Sequence, residues 1–162
     1  MSDISEQRDR FIEAVSNFGS KFGLNSALSQ IYALLYWEGM PLSLEEISHT
    51  LKMSKGNVSL NIRKLEEWGA VRKVWKKGSN RHFYRANPHL TQFLPSRIKD
   101  SLTYRMGLLA SQLESLTPFL KEESKKKRVQ ELKNLTSRVK KLVEKIFDER
   151  LINLTLSSGG EV

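Results

Sequence analysis

Cysteine is absent from all 162 residues, which excludes disulfides, thiolate nucleophiles and cysteine metal ligands and suits a reducing compartment. Histidine is scarce, and His49, His82 and His89 show no ligand spacing such as H-x-x-x-H, so no metal site is expected. There is no glycine-rich phosphate loop and no grouping of nucleophile, base and orienter, which leaves no basis for catalysis or for a cofactor. Glu66 and Glu67 are no acid–base pair, because adjacent carboxylates on a helix point in different directions. No apolar run approaches the roughly 20 residues needed to span a bilayer. The first residues are polar and charged, unlike a secretory signal. A cytoplasmic protein with no membrane association and no enzymatic activity is the expectation.

What the chain does have is positive charge, +9 net, unevenly placed. Residues 1–51 hold three Lys/Arg against seven Asp/Glu, residues 52–85 ten against two, and residues 86–162 fourteen against nine. The middle segment therefore carries +8. Such clustering is the footprint of a polyanion binder, because neutralised phosphates release counterions. An anionic membrane surface would attract it too, but no strongly basic helix carries bulky apolar anchors on its other side.

Apolar spacing organises the chain mainly into helices. Phe11, Val15, Phe18 and Phe22 mark one face of a helix from about Ser5 to Phe22, ended by Gly23. A second is expected over Ser26–Glu38, with Leu28, Ile31, Leu34 and Leu35 inward, stopped by Gly39 and Pro41. In SLEEISHTL, Ser43 can cap a short helix and Glu46 can complete a capping box. After a turn over Lys52–Ser54, Ser54 can cap the next helix, whose inward residues are Val58, Ile62 and Leu65 and whose stop is Gly69. AVRKVWKK and RHFYRA read as strands joined at GSN. Beyond Pro88 two long stripes follow. Ile98, Leu102, Met106, Leu109, Leu113, Leu116 and Leu120 form one, and Val129, Leu132, Leu135, Val139, Leu142 and Ile146 the other, with Thr117-Pro118 read as N-cap and first turn of the second helix.

Helix, helix, short helix, tight turn, helix and hairpin is the order of a winged helix-turn-helix. The fold expected is mainly α with a small β-hairpin: a winged helix-turn-helix DNA-binding domain with its N-terminal helix over residues 1–87, long dimerisation helices over 88–153 and a disordered tail over 154–162. In such a domain the helix after the turn enters the major groove. Ser54, Lys55, Gly56, Asn57 and Ser59 lie in its first turns, where Asn57 can pair with adenine, Ser59 with either edge and Lys55 with guanine or phosphate. Gly56 lets backbone and DNA approach. Arg63 and Lys64, further along, suit phosphates, while Arg81 at the hairpin tip can enter a minor groove, with Lys76 and Lys77 adding to the same field. Trp68 and Trp75 are read as core at the junction of helix and wing rather than as base-stacking residues.

MSKGNVSLNIRKLEEWGAVRKVW, preceded by IYALLYWEGMPLSLEEISHTL, resembles the GbsR-like branch of the MarR family of transcription regulators from about Ser26 to Ala86. The resemblance implies a homodimeric winged-helix repressor or activator on a pseudo-palindromic double-stranded operator. It also implies a small-molecule effector such as choline or glycine betaine. GSNR departs from the family in lacking an acidic residue beside the tip arginine, and Asn61 stands where many relatives have an apolar or small residue. A quaternary ammonium wants an aromatic cage, for which Phe18, Phe22, Tyr32, Tyr36, Trp37 and Tyr104 are the candidates. The C-terminal stripes would be buried against a second subunit, in an intramolecular helical hairpin, or in both. The alternative is a winged-helix protein-interaction module within a larger complex.

Overall fold

A computed structural model describes residues 2–148; residues 149–153 and the expected disordered tail over 154–162 lie outside the described residues. The chain divides into two compact units with the boundary between Phe93 and Leu94. That is six residues beyond the expected one, because the segment after the wing stays with the first unit. The Phe93 ring lies 5.4 Å from that of Tyr32, and the Asn87 amide donates to Gly69 O and Gln92 Oε1.

In the first unit α1 (Ser2–Lys21) packs on α2 (Ser26–Glu38). The buried line of α1 is Ile12, Ser16 and Gly19, flanked by Phe11 and Val15, while Phe18 of the expected aromatic face is 55% exposed. Close approach explains the shift. Ser16 Oγ meets Ser26 Oγ at 2.9 Å, and a Cβ at Gly19 would lie 2.6 Å from Ser29 Oγ, so small residues rather than rings form the seam. Capped by Asn25, whose Oδ1 accepts from Leu28 N, and ended by left-handed Gly39, α2 carries the fully buried Ile31, Ala33, Leu34 and Leu35. A helix apolar on nearly every side belongs at the centre of its unit.

The short helix α3 (Leu44–Leu51) has both halves of the expected capping box: Ser43 Oγ accepts from Glu46 N, and Glu46 Oε2 accepts from Ser43 N. Its apolar face is anchored by Ile47, which is fully buried. Lys52 then takes a left-handed conformation (φ 52°) that turns the chain into α4 (Lys55–Glu67). Ser54 Oγ caps α4 by accepting from Asn57 N, and Val58, Ile62 and Leu65 pack into the core. Left-handed Gly69 (φ 70°) follows the last turn, its N–H donating to Glu66 O.

Three antiparallel strands complete the winged helix in the order β1 (Leu42–Ser43), β3 (Phe83–Ala86), β2 (Val71–Val74). The two-residue β1, too short to leave a pattern, pairs Leu42 with Tyr84 and Ser43 with Phe83. The β2–β3 ladder is shorter than AVRKVWKK and RHFYRA suggest, since the chain turns at left-handed Gly78 and Ser79 N donates to Lys76 O.

In the second unit α5 (Leu94–Leu116) leads through a 3-10 turn, Thr117–Phe119, to α6 (Glu123–Ile146), and the two helices pack together with an ion pair between Glu114 and Lys133. The expected break is at Thr117-Pro118, but Thr117 does not cap α6. Its hydroxyl donates back to Leu113 O, and Pro118 sits within the 3-10 turn. On a single chain Leu132, Leu135, Leu142 and Ile146 are 42–56% exposed, whereas Thr136 is the buried residue of α6.

Candidate nucleic-acid interface

Once Val58, Ile62 and Leu65 turn inward, helical phase leaves Lys55, Gly56, Asn57, Leu60, Arg63 and Lys64 exposed on α4. Ser59 is half-buried at the margin of that face. Leu60, which the phase of Val58, Ile62 and Leu65 leaves on the outer surface, is 55% exposed between Asn57 and Arg63. A Cβ at Gly56 would meet nothing within 4 Å, so the fold does not require glycine there.

Two intramolecular contacts orient this face. Lys55 Nζ lies 3.1 Å from Glu45 Oε1 of α3. That hydrogen bond and charge hold the Glu45 carboxyl below the ordinary carboxylate value, with a smaller contribution from Arg81. Buried Asn61 donates from Nδ2 to both the carbonyl and the Oδ1 of Asn57, at 2.9 and 2.7 Å. With Oδ1 turned back, the Asn57 amide presents its N–H groups and one remaining lone pair outward. Asn61 thus acts on the exposed face through its neighbour one turn earlier.

The wing bears Lys76, Lys77 and Arg81, all exposed. Lys76 Nζ stands 5.1 Å above the Phe83 ring, a cation–π contact. Arg81 N donates to Ser79 Oγ, which fixes the backbone of the tip. Hydrogen bonds to Ser43 hold the Glu46 carboxyl of α3 below its ordinary value, with smaller contributions from Lys76 and Arg81. Trp75 contradicts the core reading, being 77% exposed, because the ladder ends at Val74 and the next side chain leaves the sheet. Trp68 is half-buried at the C-cap of α4.

The six effector candidates are dispersed. Phe18 and Phe22 pair at 4.9 Å near the end of α1, and Tyr104 belongs to the second unit. Tyr32 is buried, its hydroxyl donating to Asn87 O at 2.7 Å; burial, aided by Tyr36, pushes that hydroxyl well above its ordinary value. Tyr36 and Trp37 instead meet Phe11, at 6.3 and 5.2 Å. Rings spaced by four along one helix pair with each other, and only the crossing of two helices can gather more. Among the described residues, no group of three or more His, Asp or Glu could hold a metal ion, and no helix is long and apolar enough to cross a membrane.

No protein-family model matches the chain. It is 28% identical over 81 residues, 50% of its length and 46% of the relative's, to YvaV of Bacillus subtilis (strain 168), named as an HTH-type transcriptional regulator. Over 90 residues, 56% of this chain and 49% of the relative, it is 24% identical to the HTH-type transcriptional repressor GbsR of the same organism. The chain spans about half the length of these curated relatives. A crystal structure of a transcriptional regulator aligns with a TM-score of 0.53 over 87% of this chain and 95% of that one, at 19% identity, a likeness of fold. Over about half its length, then, the chain is similar in sequence to helix-turn-helix transcriptional regulators, and its fold is like that of a solved transcriptional regulator.

Proposed function

We propose that the chain is a sequence-specific DNA-binding transcriptional regulator of the GbsR-like branch of the MarR family, acting as a homodimer on a pseudo-palindromic operator. The observation that carries this reading is the exposed face of α4, capped at Ser54 and braced by α3, with Asn57, Leu60, Arg63 and Lys64 presented together. Asn57 and Ser59 would read base edges and Leu60 a thymine methyl. Lys55 would reach guanine or phosphate, Arg63 and Lys64 phosphates, and Arg81, with Lys76 and Lys77, the adjacent groove. The partly exposed Leu132, Leu135, Leu142 and Ile146 supply an apolar stripe suited to a second copy. Such a dimer would set two recognition helices about 34 Å apart. A quaternary ammonium effector such as choline or glycine betaine would be met by Phe11, Tyr36 and Trp37, and would act by favouring one spacing of the two helices.

Selection from a random duplex pool, followed by anisotropy titrations over a range of salt, tests the reading. A single palindromic motif and a log–log salt slope worth several phosphates are expected. A second reading, a protein-interaction module, is favoured by the exposed Trp75 and Leu60. It predicts weak DNA binding with no motif, and that result would overturn the first.

A further inference from the structure

We propose that the face of the small sheet turned away from α4 forms a site for a small organic anion carrying two negative charges. Arg72 and Arg85 are direct partners in the β2–β3 ladder, so their side chains leave the sheet from neighbouring positions. Like charges placed directly opposite destabilise a sheet. Neither arginine has an ion-pair partner among the described residues. An anion bridging them would remove the repulsion.

Strand parity sets the direction in which they point. Tyr84 is buried, and its hydroxyl lies in the field of Glu66 and Arg63 of α4. Successive side chains alternate across a sheet, so Arg85 and its partner Arg72 project from the opposite face. There they border a cleft of about 600 Å³, within the range used for small-molecule sites. The exposed Tyr36 ring and Pro88 give it an apolar edge, and His89 stands at its rim. Left-handed Gly39 and Gly69 line it with bare backbone. None of the residues assigned above to DNA borders this cleft.

Two planar cations beside an apolar edge select a hydrocarbon body with two acidic functions, carboxylate or phosphate, since a guanidinium pairs with either in a bidentate manner. Phthalate and phenyl phosphate share that chemistry, and which of them binds more tightly separates the two sources.

The inference does not rest on DNA binding, and the ligand titrations that decide it contain no DNA. Both compounds are titrated calorimetrically into the full chain at physiological chloride, with benzoate as the single-charge control. At least one dianion should saturate, benzoate should bind about tenfold more weakly, and Arg72→Gln or Arg85→Gln should weaken the dianion about tenfold or more. Without ligand, each variant should melt no lower than the parent protein, because a like-charge contact has gone. Absence of saturable binding by either dianion, or binding unchanged in both variants, overturns the site. In the latter case a flattened salt dependence on duplex DNA would reassign the arginines to the nucleic-acid surface.

Discussion

Asn61→Ala is a sharp test of how the exposed face of α4 is organised. Asn61 is 4% exposed and spends its amide N–H groups on Asn57, one on the carbonyl and one on Oδ1. Each such bond contributes about 0.5–1.5 kcal/mol, so their loss should cost about 1–3 kcal/mol of stability. In a unit of this size that corresponds to a fall in Tm of roughly 5–15 °C. DNA recognition changes for a separate reason. Asn57→Ala should remove discrimination worth about 1–3 kcal/mol at one position of each half-site. Asn61→Ala should remove part of that, because the Asn57 side chain regains its rotamers. A double-mutant cycle separates the two effects. Anisotropy titrations with the selected operator and its single-base variants give the discrimination, and thermal melts give the stability. In an Asn57→Ala background, Asn61→Ala should still lower Tm but leave base preference untouched. If Asn61→Ala alone retained the full preference of the parent protein, Asn57 would not be oriented by it and the reasoning would fail.

Other expectations are simpler to state. Arg81→Ala should flatten the salt dependence of DNA binding by about 0.9 in the log–log slope per wing, and an unchanged slope and affinity would remove Arg81 from the contact surface. Glu45→Gln frees Lys55 from an exposed, solvent-screened ion pair, so the melting temperature should barely move. The slope should meanwhile steepen by about 0.9 per subunit, unless Lys55 never reaches a phosphate. Glu46→Ala should cost about 1 kcal/mol through the capping box. Because hydrogen bonds to Ser43 hold the Glu46 carboxyl below its ordinary 4.5, that stabilisation is complete above the ordinary value and is lost as pH falls through the lowered one. Acid melts of the parent should therefore fall more steeply than those of the variant. Leu135→Lys combined with Leu142→Lys should leave helicity by circular dichroism intact while shifting sedimentation equilibrium toward monomer. A stable dimer would place the interface elsewhere.

What could be read from the residues depended on how local their cause is. The capping box at Ser43 and Glu46, the cap at Ser54 and the stop at Gly69 are set by neighbours a few positions away, and each is found where expected. Val58, Ile62 and Leu65 likewise follow from period alone. The α1 seam did not, because Phe18 and Gly19 exchange roles only when α2 comes within reach. Trp75 departs from the core reading because an indole ring suggests burial, whereas the end of the ladder at Val74 exposes it. Strand β1 was invisible because two residues carry no periodicity and its partner is Tyr84, far along the chain. The dispersed rings show the same limit, since Phe11 joins Tyr36 and Trp37 only through the crossing of two helices.

Ser43 is at once a strand residue opposite Phe83 and the cap of α3. Wing and helix-turn-helix therefore share a pivot, and the hairpin cannot swing without tugging on the first turn of α3. A push on the wing, whether from a groove or from a molecule lodged against its back, would be geared directly into the helix that braces α4. The wing is in this sense a lever arm rather than a loose flap, and slow amide exchange at Ser43 and Phe83 would be its mechanical signature.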